Sequence, residues 1–178
     1  MIIEPQTGDK PVLAMDMDGV FLVEHEKGER PDGYRKLPGG SDYFSYNPEH
    51  AELIQEILPR TDAYWLSGAA PETLEAVIAS LELPDIPRID CEYMWAMTPK
   101  SERPRESLLD YKKNAIGHIF PGRSLIWLDD WLDHADFSWA ERRSRSEART
   151  LLVRPDSLKG LQRHHVSQML GWLGRTAC

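Results

Sequence analysis

Two aspartates one residue apart, Asp16 and Asp18, close the apolar run Val12-Leu13-Ala14-Met15, and Gly19 follows at once. A carboxylate at the exit of a buried strand is costly unless it meets a cation, a proton or a substrate, so the pattern points to chemistry more than to packing. Trp65-Leu66-Ser67-Gly68 and Ile126-Trp127-Leu128-Asp129-Asp130 repeat this arrangement of apolar strand and polar tip, and the pair Lys112-Lys113 lies between them. The Ser67 hydroxyl and neighbouring N–H groups, placed before a helix start, suit a phosphate oxygen; capping that helix is the commoner role for Ser-Gly alone. A hard cation such as Mg²⁺ wants oxygen ligands, and carboxylates such as those of Asp16, Asp129 and Asp130 can supply them. Asp133 has a weaker claim as a helix residue. A calcium loop is excluded, because it wants Asp or Asn and then Gly where this chain has Val20 and Phe21.

The lysine requires a choice. On a helical wheel from Leu108 to Phe120, the residues Leu108, Leu109, Ala115, Ile116, Ile119 and Phe120 define one apolar arc. Lys112 falls near its middle and Lys113 at its edge. An ammonium in the middle of a buried face needs an anionic partner, which favours Lys112, with Lys113 as its competitor and a further contact for substrate.

These side chains must be carried by elements of the right kind. Periodicity predicts strands near 11–15, 62–66, 87–91, 124–128 and 149–153, and helices near 48–58, 71–82, 104–119, 131–146 and 160–173. Alternation of apolar strands with amphipathic helices predicts an α/β fold: a three-layer, Rossmann-like parallel sheet with helices on both faces and ligands at the carboxyl ends of the strands. Pro71-Glu72 reads as a helix start. Residues 21–47 are rich in Gly, Pro and charge and too irregular for regular sheet strands; they read as a flap or small cap inserted into a single domain spanning 1–178. The tail after Leu173 is expected to be disordered.

The ordered set of motifs, from Asp16-Met17-Asp18-Gly19 through Ser67-Gly68 and the lysine pair to Asp129-Asp130, resembles the haloacid dehalogenase (HAD) superfamily over roughly residues 11 to 153. The resemblance implies a Mg²⁺-dependent phosphatase with Asp16 as the nucleophile that forms an aspartyl-phosphate and Asp18 as the acid that protonates the leaving group and then activates water. It further implies Ser67 and Gly68 on the phosphate, a lysine neutralising the phosphoryl group, and a magnesium set of Asp16, Asp18 and Asp129, shared or supported by Asp130. About 45 residues separate Ser67 from Lys112 and about 30 separate Gly19 from the next helix, which leaves no room for a large cap. Trp127-Leu128-Asp129-Asp130 followed by Pro155-Asp156 and Gly160-Leu161 also looks like the HAD-like domains of multidomain RNA-repair proteins, which implies RNA or DNA ends or nucleotides as phosphorylated substrates. The rival reading is a non-enzymatic interaction protein that binds a partner through a basic surface.

Composition narrows the classes. The 178 residues are 41% hydrophobic and 28% charged, ordinary for a soluble domain, with no apolar run of the ~20 residues that cross a bilayer. Met1 to Lys10 lacks the layout of a signal peptide, so a cytoplasmic location is expected. Cys91 and Cys178 offer neither a disulfide framework nor a metal spacing. A net charge of −8 argues against general affinity for long nucleic acid. Glu141 to His165 is the local exception, with seven Arg or Lys against three acids; it suits an anionic substrate or, more commonly, a solvated helix face. The six histidines show no spacing tied to the carboxylates. Trp65 and Trp127 are expected in the core, whereas Trp95, Tyr34, Tyr43, Phe44 and Tyr46 are placed either to stack on a ligand or to anchor the flap.

Overall fold

A computed structural model describes residues 4–26, 29–89 and 108–175. Four short strands, β1 (Val12–Met15), β5 (Asp62–Trp65), β6 (Leu125–Leu128) and β7 (Thr150–Val153), form a parallel sheet in the order β5-β1-β6-β7. The two inner strands, Val-Leu-Ala-Met and Leu-Ile-Trp-Leu, are buried throughout, whereas the edge strands begin half-buried. Continuous apolar strands are what a parallel sheet covered on both faces demands. Register aligns Met15 with Trp65 on one side and with Leu128 on the other, so the residues after all three leave the sheet at one edge.

Alternate residues of each strand divide the core into two layers. Leu13, Met15, Trp65, Ile126, Leu128 and Val153 pack with α1 (Glu49–Gln55), α2 (Pro71–Ser80) and α5 (Arg163–Gly174), through Leu53, Val77 and Met169 among others. Val12, Ala14, Tyr64, Leu125, Trp127 and Leu152 pack with α3 (Leu108–Ile119) and α4 (His134–Ser146), through Ile116, Ile119 and Ala140. The period of two in the strands thus produces the three-layer, Rossmann-like arrangement expected from the sequence. Within β6, Trp127 faces Trp139 edge-on at 5.8 Å.

The segment 87–91 pairs with the sheet only where it is described: Ile89 N–H donates to the Trp65 carbonyl at 2.8 Å, and Trp65 N–H to that of Pro87 at 2.9 Å. Residues 90–107, including Cys91, Trp95 and the first turn expected of the third large helix, lie outside the described residues, as does Cys178. Helix α5 runs on to Gly174, one residue past the expected end of order.

The inserted segment departs from expectation. Instead of an irregular flap it holds three short strands, β2 (Leu22–Glu24), β3 (Arg35–Lys36) and β4 (Phe44–Tyr46), in an antiparallel sheet ordered β2-β4-β3. Strands of two or three residues are too short to display a period, and what holds them is the burial of Leu22, Leu37 and Tyr46 against the main core. Tyr34 donates its hydroxyl hydrogen bond to the Lys159 carbonyl, and Leu161 N–H donates to the Val20 carbonyl at 2.8 Å, tying the insertion to the loop after β7. Gly160 permits this approach: with φ at +63°, an added Cβ would lie 2.4 Å from the Val20 oxygen and 2.7 Å from the His50 ring.

His50 is 1% exposed and meets the edges of Phe21 and Tyr34 at 6.3 and 5.9 Å. Burial lowers its pKa from 6.5 to about 4. Folded His50 therefore stays neutral where the unfolded chain is protonated, so its contribution is complete above pH 6.5 and is lost as pH falls toward 4. Urea denaturation of the wild type and His50→Leu across that window should show about 3 kcal/mol of acid-dependent destabilisation that the variant lacks; parallel pH profiles would refute it.

Candidate active site

Strand order places the site before any side chain is considered. From β1 the chain crosses to β5 on one side and afterwards to β6 and β7 on the other, so the connections diverge at the carboxyl end of β1. Ligands of open α/β sheets bind at such a divergence. Asp16 and Asp18 leave β1 there, Ser67 follows β5, and Asp129 and Asp130 follow β6.

The turn after Asp16 is tight. Phe21 and Leu22 N–H groups donate to the Met17 carbonyl at 2.9 and 3.1 Å, and Gly19 N–H donates to that of Leu22 at 2.7 Å. Gly19 adopts φ +67°, and a Cβ on it would lie 2.1 Å from the Asp130 carboxyl carbon. Glycine is therefore required twice, for its backbone angle and for the space that Asp130 occupies.

The carboxylates of Asp16, Asp129 and Asp130, all buried, offer oxygens lying within 4.8 Å of one another. Lys112, 1% exposed, reaches them from α3 and donates to Asp16 Oδ2 at 2.7 Å and Asp129 Oδ2 at 2.6 Å. The remaining oxygens accept main-chain donors: Asp16 Oδ1 from Met17 N–H at 2.7 Å and Asp129 Oδ1 from Trp131 N–H at 3.0 Å. Asp130 is held through its main chain, whose carbonyl accepts from Arg154 Nε at 3.1 Å.

One ammonium does not balance this many carboxylates. Burial, then Asp129 and Asp16, push the Asp130 carboxyl up to about 7. Asp18 has an exposed outer edge, yet the packed atoms on its inner side, and then Asp16, push it up to about 6. Burial raises Asp129 as well, against the pull of Lys112. Burial alone would lower the Lys112 pKa, but Asp16 and Asp129 outweigh it and hold the ammonium above its ordinary value. Carboxylates that retain protons this far up the scale mark a place short of positive charge. Three buried oxygen donors on rigid strand ends suit a hard divalent cation such as Mg²⁺, which binds through one or two carboxylates with water and substrate oxygens completing its shell.

The structure separates the two lysines. Lys113 pairs with Asp110 at 2.7 Å and Asp136 at 2.9 Å, outside the carboxylate cluster that Lys112 joins. Asp133 is the N-cap of α4: its Oδ1 accepts from Ala135 and Asp136 N–H at 2.7 and 3.1 Å, while Asp136 returns a bond to Asp133 N–H. Ser67 is buried, and its hydroxyl oxygen accepts from Ala69 N–H at 3.2 Å, shaping the turn that leads into α2. Gly68 next to it is exposed.

The basic stretch from 141 to 165 is mostly exposed, and several of its side chains have partners within the protein. Arg143 is buried and donates to the carbonyls of Phe120 and Arg123 and to Thr150 Oγ1; Arg149 lies over Trp172; Lys159 and Arg163 pair with Asp156 and Glu56. Arg154 alone of that stretch bonds to a residue of the cluster among the described contacts. Of the flap aromatics, Tyr34 and Tyr46 anchor the insertion, whereas Tyr43 and Phe44 face a groove beside Asp18. Trp131, 66% exposed on the same groove, escapes the sequence reading, although its place directly after Asp129-Asp130 was the available signal.

No family model matches the chain, and no curated protein matches it.

Replacing Lys112 by Met should cost about 3 kcal/mol at neutral pH, because two buried carboxylates lose their counter-charge; a loss below about 1 kcal/mol in urea denaturation would contradict that role. Gly19→Ala should leave a folded protein by circular dichroism but displace the Asp130 carboxylate, so that Mg²⁺ raises its melting temperature less than that of the wild type.

Proposed function

We propose that the protein is a Mg²⁺-dependent phosphomonoester hydrolase of HAD type, acting through an aspartyl-phosphate on Asp16. The convergence of Asp16, Asp129 and Asp130 with the Lys112 ammonium carries this reading. Asp16, the carboxylate at the carboxyl end of the central strand, attacks phosphorus, and the P–O bond to the leaving group breaks. Asp18, whose raised pKa keeps a share of its proton near neutrality, gives that proton to the departing oxygen. The same carboxylate then takes a proton from water, which attacks phosphorus and frees Asp16 with release of inorganic phosphate. Lys112 holds the nucleophile in place and offsets the charge that gathers on the phosphoryl oxygens. Asp16, Asp129 and Asp130 would hold the magnesium ion, with the Asp18 carbonyl as the further ligand that the family pattern implies; when bound, the ion supplies electrostatic stabilisation of the transferring group. Ser67, leaving the neighbouring strand at the same edge, is the group assigned to a phosphate oxygen. Nucleotides and nucleic-acid ends are the substrates toward which the resemblance points.

The wild type should release phosphate from p-nitrophenyl phosphate only with Mg²⁺ present, and Asp16→Asn should lower that rate by about 10³-fold or more while remaining folded. Turnover by Asp16→Asn within tenfold of the wild type would refute covalent catalysis at Asp16.

A further inference from the structure

Four large apolar side chains are exposed among the described residues, and three of them, Tyr43 (49%), Trp131 (66%) and Leu158 (58%), line one groove. Scattered exposed apolar residues are normal, but their convergence at the mouth of a polar site marks a binding surface. The groove encloses about 1140 Å³ and opens outward from Asp18, Gly19 and Asp130. Its walls come from separate parts of the chain: Phe44 and Glu24 from the facing strands β4 and β2, Tyr43 from the residue before β4, Trp131 from the exit of β6, and Leu158 from the loop after β7. That volume exceeds what a phosphate needs and suits a phosphate carrying a ring-sized group.

The charges of the lining restrict what that group can be. Glu24 and Glu26 join Asp18 and Asp130, and Arg154 is the lone Lys or Arg of the lining. A nucleic-acid strand is held through cations placed along successive phosphates. A second phosphate in this groove would meet carboxylates instead, whereas the exposed rings offer flat surfaces on which an uncharged ring stacks.

We propose that this groove holds the leaving group of the substrate, and that the group carries a flat aromatic or heteroaromatic ring and no second phosphate. The proposal rests on the phosphatase reading and gives it a substrate class: ring-bearing monophosphates, a nucleoside monophosphate or an aryl phosphate, in preference to strand ends. Trp131 and Tyr43 grip the ring, and Glu24 and Glu26 favour rings that bear N–H donors.

The test compares kcat/KM for adenosine 5′-monophosphate, phenyl phosphate, glycerol 2-phosphate and a 5′-phosphorylated DNA decamer, using wild type, Trp131→Ala and Trp131→Phe. The ring substrates should exceed glycerol 2-phosphate by about tenfold or more, with the decamer below the mononucleotide. Trp131→Ala should collapse the ring-to-aliphatic ratio toward one, through KM, and Trp131→Phe should retain most of it. An unchanged ratio in Trp131→Ala, equal turnover of ring and aliphatic substrates, or preference for the decamer overturns the groove assignment while leaving the phosphatase reading standing. If the wild type hydrolyses none of the four, the phosphatase reading fails, and calorimetric titration with adenosine 5′-monophosphate decides the groove by itself: binding that Trp131→Ala abolishes supports a ring site, and absent or unaltered binding overturns it.

Discussion

A single buried ammonium, that of Lys112, makes this architecture possible. It lies between carboxylates from β1 and β6 and donates to both at hydrogen-bonding distance. Without it, two neighbouring strands would end in unpaired negative charge inside a water-poor pocket, a situation proteins avoid because desolvation of each ion costs several kcal/mol. The same contact docks α3 against the sheet, so the helix that covers one face also supplies the counter-charge for its edge. Main-chain N–H groups of Met17 and Trp131 satisfy the other oxygens, fixing each carboxylate from two directions.

Burial of β1 on both faces and both edges is what makes those directions reliable. Its odd residues Leu13 and Met15 face one layer, its even residues Val12 and Ala14 the other, and both edges are paired with parallel neighbours. The strand end therefore has little freedom, and the acids that follow it inherit that rigidity. Crossings that diverge at this strand leave a gap at its end, where the carboxyl groups face one another without filling the space.

Legibility in the sequence followed the length over which a pattern could repeat. The four strands and five helices were readable because their apolar spacing runs across whole elements, and the choice of Lys112 over Lys113 came from the centre of an apolar arc on one helix. Asp16, Asp129 and Asp130 could be picked out because acids at the ends of apolar strands conflict with packing. The antiparallel strands of the insertion are two or three residues each, shorter than any period, and depend on contacts with a core that the local sequence does not reveal. Trp131 was missed for a related reason: it acquires its place from the groove that three distant segments build together. The positive stretch after α4 begins is mostly the solvated face that its charge suggests, with Arg142, Arg145, Arg154, Lys159 and Arg163 exposed, whereas the bracing by Arg143 and Arg149 depends on partners distant in the chain.

The small antiparallel sheet is attached to the rim of the acid cluster; its Glu24 lines the groove beside Asp18, and none of its carboxylates belongs to the Asp16, Asp129 and Asp130 group. Its anchors, Tyr34 on the Lys159 carbonyl and Gly160 against Val20 and His50, involve neither Lys112 nor the carboxylates that it pairs. On the proposed reading, chemistry and selectivity thus belong to separate parts of the chain. Exchanging the hairpin tip around Tyr43 would leave the buried charge network untouched, so under the proposed function the fit of the groove to a leaving group can be altered by changes in an outlying appendage alone.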